Sequence, residues 1–205
     1  TTILMKDIID FAKNGTPLPA KPIMLTFDDG HECCLTYLVP LLEKYDMKAV
    51  VSVVGSFSDL SEKEHCPVPE YCYLTWDEIK ELSDNPRVEI QNHTYTLHSN
   101  ATRQGCKIKN GESFENYKKV LSDDLSMLQD KIFEFTGRRP NTFTYPFGHL
   151  CKESVEILEE LGFEAALTCS ETQVDLDNIN LFRLGRFNRP HGKSSETFFR
   201  FVLSH

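Results

Sequence analysis

"PIMLTFDDGHECC", residues 22–34, carries an apolar run directly into two adjacent carboxylates and a glycine. A short apolar run bounded by turn formers reads as a buried strand. The Asp-Asp-Gly that ends it has two readings. Asp and Gly are common turn residues that satisfy the backbone locally. Equally, the carboxyl ends of strands line the functional face of βα proteins. Adjacent residues of an extended chain point to opposite sides, so Asp28 and Asp29 are not expected to grip one ion in the same way. They invite a division of labour, with one carboxylate ligating a metal and the other free as a general base on water.

Outward from this stretch, short apolar runs alternate with longer amphipathic ones, the pattern of an α/β protein with a mainly parallel sheet. Strands are expected at 22–27, 48–54, 87–91, 142–145, 164–167 and 182–187, and helices near 4–13, 33–45, 75–84, 114–136, 151–161 and 194–203. Thr75 followed by Glu78 has capping-box spacing, and Gly137 fits a helix stop. The Pro-punctuated stretches 14–22 and 65–72 and the polar stretch 100–113 read as connections rather than linkers, so residues 1–205 are expected to form a single domain. The strands alone leave an open doubly wound sheet and a barrel both possible.

Composition narrows the class. The 205 residues are long enough for one sizeable core, and 40% hydrophobic with 26% charged residues is ordinary for a globular protein. A formal charge of −9, from 31 acidic and 22 basic residues, argues against a nucleic-acid surface. No apolar run approaches the roughly 18 residues that span a bilayer, and no basic start leads an apolar signal segment. The chain begins with Thr1 rather than Met, which reads as a processed or excised piece. Seven cysteines, an odd number without a Cys-x-x-Cys pair, argue against a disulfide framework and a finger-type zinc site. Cys66 and Cys72, in "CPVPEYC", are spaced to bridge within a loop; reduced, partly buried thiols are the reading for the rest.

Two other strand ends carry chemistry: "EIQNHTYTLHS" (89–99) and "FTYPFGH" (143–149). A spacing of five sets His93 and His98 about 140° apart on a helix and on opposite faces of a strand, so a loop after strand 87–91 is needed to bring both inward. Two imidazoles and a carboxylate would make a three-ligand set suited to catalytic Zn²⁺. Pro146 and Gly148 shape a tight turn that could aim the Phe147 N–H at a developing oxyanion. His31 and His149 read as exposed, and Trp76 as the apolar anchor of a helix start.

Taken together and in order, "LTFDDG", "PLLEKYDMKAVVSVVG", "EIQNHTYTLHS", "FTYPFG" and "RLGRFNRPHGKSSETFF" resemble the polysaccharide deacetylases with a NodB-homology domain, carbohydrate esterase family four. The resemblance implies a distorted (β/α) barrel, here built with an N-terminal strand fewer. It also implies hydrolysis of N-acetyl groups from N-acetylglucosamine units of a bacterial cell-wall or exopolysaccharide glycan. It makes Asp28 the general base, Asp29, His93 and His98 the ligands of a divalent metal (Zn²⁺, or Co²⁺, Ni²⁺ or Fe²⁺), and Phe147 the oxyanion N–H. By the same resemblance the protein acts on a glycan at or outside the bacterial envelope; the sequence leaves the oligomeric state open, with a monomer favoured.

The departures set further expectations. Leu97 lengthens the usual histidine spacing from four to five, as in the branch resembling poly-N-acetylglucosamine deacetylases. Thr144 stands where the family has an Arg that orients the base, and Arg186 in "LGRFN" is the candidate replacement. The family's general acid is a His in a Leu-x-His segment. "VLSH" at 202–205 matches those letters but closes a helix, and no histidine precedes Asp28, so the acid is expected upstream of Thr1 or absent. The competing readings are a carbohydrate-binding protein that keeps the metal without turnover, and a metal-dependent esterase or amidase on another substrate.

Overall fold

The apolar runs form a two-stranded and a five-stranded sheet whose strand pairings are all parallel. The computed structural model describes residues 1–63, 68 and 71–204. Its strands are β1 (Thr2–Ile3), β2 (Ile23–Met24), β3 (Thr26–Phe27), β4 (Ala49–Val53), β5 (Val88–Asn92), β6 (Thr142–Thr144) and β7 (Ala165–Leu167). β1 pairs with β2, and β3 to β7 lie side by side in chain order. β2 and β3 are one extended run interrupted at Leu25, whose carbonyl accepts the Val50 N–H.

Alternation along the strands sorts the side chains. Ala49, Val51 and Val53 of β4 and Val88 and Ile90 of β5 face outward. They pack with Trp76, Ile79 and Leu82 of helix α4 (Trp76–Asp84) and Leu128 and Ile132 of α5 (Phe114–Thr136). Val50 of β4 and Ala165 and Leu167 of β7 face inward and share one cluster with Met5, Ile8 and Ile9 of α1 (Met5–Asn14). Strands three places apart in the sheet meet through one helix only because the sheet curls around it, as a half-barrel does. Glu89, inward on β5, accepts hydrogen bonds from the Met5 and Lys6 amides at 2.9 and 3.5 Å, satisfying two of the orphan N–H groups that open α1.

The helix signals read from sequence hold at α4 and α5. Thr75 and Glu78 form a reciprocal capping box, and Gly137, at φ 69°, closes α5 in the left-handed region that glycine favours. Trp76 is buried at the start of α4, its Nε1 donating to Asp59 at 2.9 Å.

Elsewhere the elements differ from the expectation. The 33–45 helix divides into a π turn, Cys34–Leu38, and α2 (Val39–Lys44), because Pro40 has no N–H for the Thr36 carbonyl and its ring would crowd that oxygen. The 182–187 strand reduces to one parallel bridge from Leu184 to Leu167; Leu181–Arg183 is a 3₁₀ turn capped by the Asn180 side chain. Helix α3 (Gly55–Ser61) was not expected, since its "GSFSDLS" holds three serines and a glycine, all weak helix formers. The expected 151–161 helix is α6 (Ser154–Glu160), and α7 (Ser195–Val202) follows near the end of the chain. Cys33, Cys34, Cys106, Cys151 and Cys169 take no part in a disulfide. The Cys66–Cys72 pairing, His65 and His205 lie outside the described residues.

Candidate active site

β3 ends at Phe27, and the chain then turns across the barrel mouth. Asp29 and Gly30 both have φ 73°, a conformation that Asp tolerates and Gly adopts freely. At Gly30 the close approach is itself decisive, since a Cβ would lie 2.9 Å from Val53 Cγ1. This pair of left-handed residues separates the two carboxylates. Asp28 faces Arg186, and Asp29 faces the histidines.

Arg186 grips Asp28 as a fork, NH1 donating to Oδ1 at 2.7 Å and NH2 to Oδ2 at 2.9 Å. Its Nε donates to the Thr168 carbonyl at 2.9 Å, which fixes the guanidinium plane. Burial alone would raise the Asp28 carboxyl, but the hydrogen bonds and charge of Arg186 outweigh it and hold the group below its ordinary range. The expected replacement for the missing Arg therefore lies on the expected carboxylate. Thr144 is used otherwise: its hydroxyl meets Ser52 Oγ at 2.8 Å, and its carbonyl lies 2.7 Å from His93 Nδ1.

That last contact fixes the His93 tautomer. A carbonyl can only accept, so Nδ1 carries the proton and Nε2 presents a lone pair. His93 is almost wholly buried, and burial pushes its pKa below the ordinary value, which favours the neutral ring. His93 Nε2 and His98 Nε2 stand 3.5 and 3.2 Å from Asp29 Oδ1. The three ligand atoms lie within 4.8 Å of one another, and Asp29 Oδ1 is buried without a hydrogen-bond partner. A buried carboxylate oxygen without a donor, facing an imidazole lone pair and a second imidazole, fits a divalent cation. The loop needed to bring both histidines inward is present, and it passes through Thr94 at φ 73°, a strained value for a β-branched residue.

Phe147 sits in the 3₁₀ turn Pro146–Gly148 with φ 57°, ψ 14°. The amides that open a helical turn have no partner within it, so this position leaves the Phe147 N–H available for an acceptor outside. Phe147 is 44% exposed, and its ring lies 4.5 Å from that of His98. On the other side of His98 stands Phe57, which stacks on Tyr73, which stacks on His31. His31 and His149 are therefore half-buried rather than exposed, packed in an aromatic wall with Phe57, Tyr73 and Phe147. Phe57 and Tyr73 were not singled out from sequence. Phe57 lies in the unexpected α3, and neither stands at a strand end.

Fold and site together define a parallel (β/α) half-barrel with a carboxylate–dihistidine cluster and an Arg-bound carboxylate at the carboxyl ends of its strands. The family model for polysaccharide deacetylase matches residues 15–166, and the chain belongs to that family. It is similar to the poly-beta-1,6-N-acetyl-D-glucosamine N-deacetylase of Escherichia coli K12, 25% identical over a 175-residue alignment covering 76% of this chain and 26% of that protein. The chain thus spans about a quarter of that relative's length. The BpsB deacetylase domain from Bordetella bronchiseptica superposes with a TM-score of 0.79 at 28% identity, over 91% of this chain and 78% of that one. The de-N-acetylase from Aggregatibacter actinomycetemcomitans gives 0.81 at 23% identity, over 98% and 82%, a likeness of fold.

Proposed function

We propose that residues 1–205 form a single catalytic domain that removes N-acetyl groups from N-acetylglucosamine units of a bacterial glycan, with a divalent metal at Asp29, His93 and His98. The observation that carries this reading is the donorless, buried Asp29 Oδ1 facing two imidazole Nε2 atoms, one residue from a carboxylate clamped by Arg186. Two nitrogens and one oxygen suit Zn²⁺, and Co²⁺, Ni²⁺ or Fe²⁺ fit the same donors. When bound, the cation would supply Lewis-acid polarisation of the amide carbonyl and acidify a water.

The chain's own residues have distinct tasks in this reading. Asp28 takes the proton from the attacking water as general base, and Arg186 keeps it ionised and aimed. Phe147 N–H donates to the oxygen that gains charge as the amide carbon becomes tetrahedral. Thr144 holds His93 in the tautomer a ligand requires. The named N-deacetylase activity of the Escherichia coli protein supports the amide of a glycan as the target, and with it action at or outside the cell envelope; the Bordetella protein is named a deacetylase domain. No described helix is long and apolar enough to cross a membrane. Monomeric action on the glycan is part of the proposal.

Acetate release from N-acetylglucosamine oligomers, run beside an O-acetylated glycan, tests the reaction class. Faster release from the N-acetyl substrate is expected. Release from the ester alone would replace this reading by that of an esterase.

A further inference from the structure

The geometry points to Asp124, on α5, as the residue that positions the His93–His98 loop; this rests on the metal reading of those histidines. Asp124 lies at the edge of the apolar face that α5 turns to the core, with Leu121 three residues before it and Leu128 four after it. It is only 7% exposed, and no cation lies within ion-pair distance of it among the described residues. A carboxylate in such a place costs stability unless its oxygens are hydrogen-bonded. Its partners all come from the histidine loop. Oδ1 accepts the Tyr95 N–H at 2.7 Å, and Oδ2 accepts the Thr96 N–H at 2.8 Å and the Thr96 hydroxyl at 2.7 Å.

Consecutive amides converging on one anion form a concave nest, and here the protein supplies the anion itself. The nest begins one residue after Thr94, whose left-handed backbone turns the chain sharply after His93. Asn92 holds the other side of that turn: its Oδ1 accepts the Thr94 N–H at 2.9 Å and its Nδ2 donates to the Leu125 carbonyl at 3.0 Å. Both ties reach the same turn of α5. The loop is thereby wound around Asp124, which lets histidines five apart present Nε2 atoms to one Asp29 oxygen. A single amide oxygen cannot replace two carboxylate oxygens, and the NH₂ of Asn would face the loop's own donors. Asp124→Asn should therefore unwind the loop while leaving the helix in place.

The test measures Zn²⁺ affinity of the full chain by chelator competition and the visible band of the Co²⁺-loaded protein. Asp124→Asn is compared with Glu112→Gln, which breaks a buried ion pair in the neighbouring 100–113 loop. We expect Asp124→Asn to weaken Zn²⁺ binding by about 10–100-fold, as loss of a residue supporting a ligand does, and to shift the Co²⁺ band. Glu112→Gln should leave both unchanged. Thr96→Val removes one of the three donors and should weaken binding less, in the same direction, if Asp124→Asn does not fold. Unchanged affinity and band in the Asp124 and Thr96 variants would overturn the assignment, as would an equal loss in Glu112→Gln. Failure of the unmodified chain to take up Zn²⁺ or Co²⁺ is a separate outcome that overturns the metal reading and this role with it.

Discussion

At the amino-terminal half of the strands, Met5, Ile8 and Ile9 fill the curl against Val50 and Ala165, and Glu89 satisfies the first amides of α1. At the carboxyl ends the same sheet carries Asp29, Thr94 and Phe147, three non-glycine residues at positive φ, and a buried carboxylate oxygen without a donor. Backbone strain of this kind costs about 1–3 kcal/mol per residue and persists only where its surroundings enforce it. The plugged end satisfies its own polar groups, whereas the open end holds groups that do not satisfy one another. The difference teaches where to cut. Changes at the plugged end should alter stability and leave the chemistry, and changes at the open end should do the reverse.

The largest expected effect is at the open end. Asp29→Ala should abolish metal retention, measured as bound metal per chain, and take acetate release to background. Asp28→Asn should keep the metal and lower turnover by about 10²–10⁴-fold, the range of a general base; full activity there would remove Asp28 from its role. Met5→Ala, at the plugged end, should cost about 2–5 kcal/mol in denaturant unfolding with unchanged metal content, because it opens a cavity in a closed core. Arg186→Lys loses the fork, and at about 1.5–3 kcal/mol for a charge-assisted hydrogen bond should slow turnover about tenfold or more. Arg186 holds the Asp28 carboxyl low, so this variant should also move the acid limb of kcat/KM to higher pH.

The smallest effect belongs to the 100–113 loop beside the site. Arg103 hydrogen bonds and burial act in opposite senses on Glu112, and the first prevail, lowering its pKa to about 2. Its folded-state pKa lies below the ordinary 4.5, so the contribution is complete above pH about 4.5 and is lost as pH falls toward about 2. Glu112→Gln should flatten the stability profile in that window, lowering stability above it by a constant amount and changing little below pH about 2.

The sequence made legible what short-range rules control. The strand-to-turn switch at Phe27–Asp28, the Thr75 capping box and the Gly137 stop all depend on neighbours in the chain. The candidate site residues were proposed from an ordered set of motifs, and Arg186 from a vacancy at Thr144. What escaped depends on distant partners. In 182–187 the alternation of "FRLGRF" imitates a strand, but the Asn180 cap diverts its first residues into a 3₁₀ turn. Tyr73 and Phe57 acquire meaning only by stacking beside His98. Asp124 looks like one acid among several on a helix; only the fold brings the amides of Tyr95 and Thr96 onto it.

The most direct test of the central claim is bound metal and acetate release from N-acetylglucosamine oligomers, measured on one sample of the purified chain before chelation, after it, and after Zn²⁺ is restored. The account predicts one metal per chain, with acetate release lost and regained in step with it. Acetate release that continues after complete removal of the metal would contradict it.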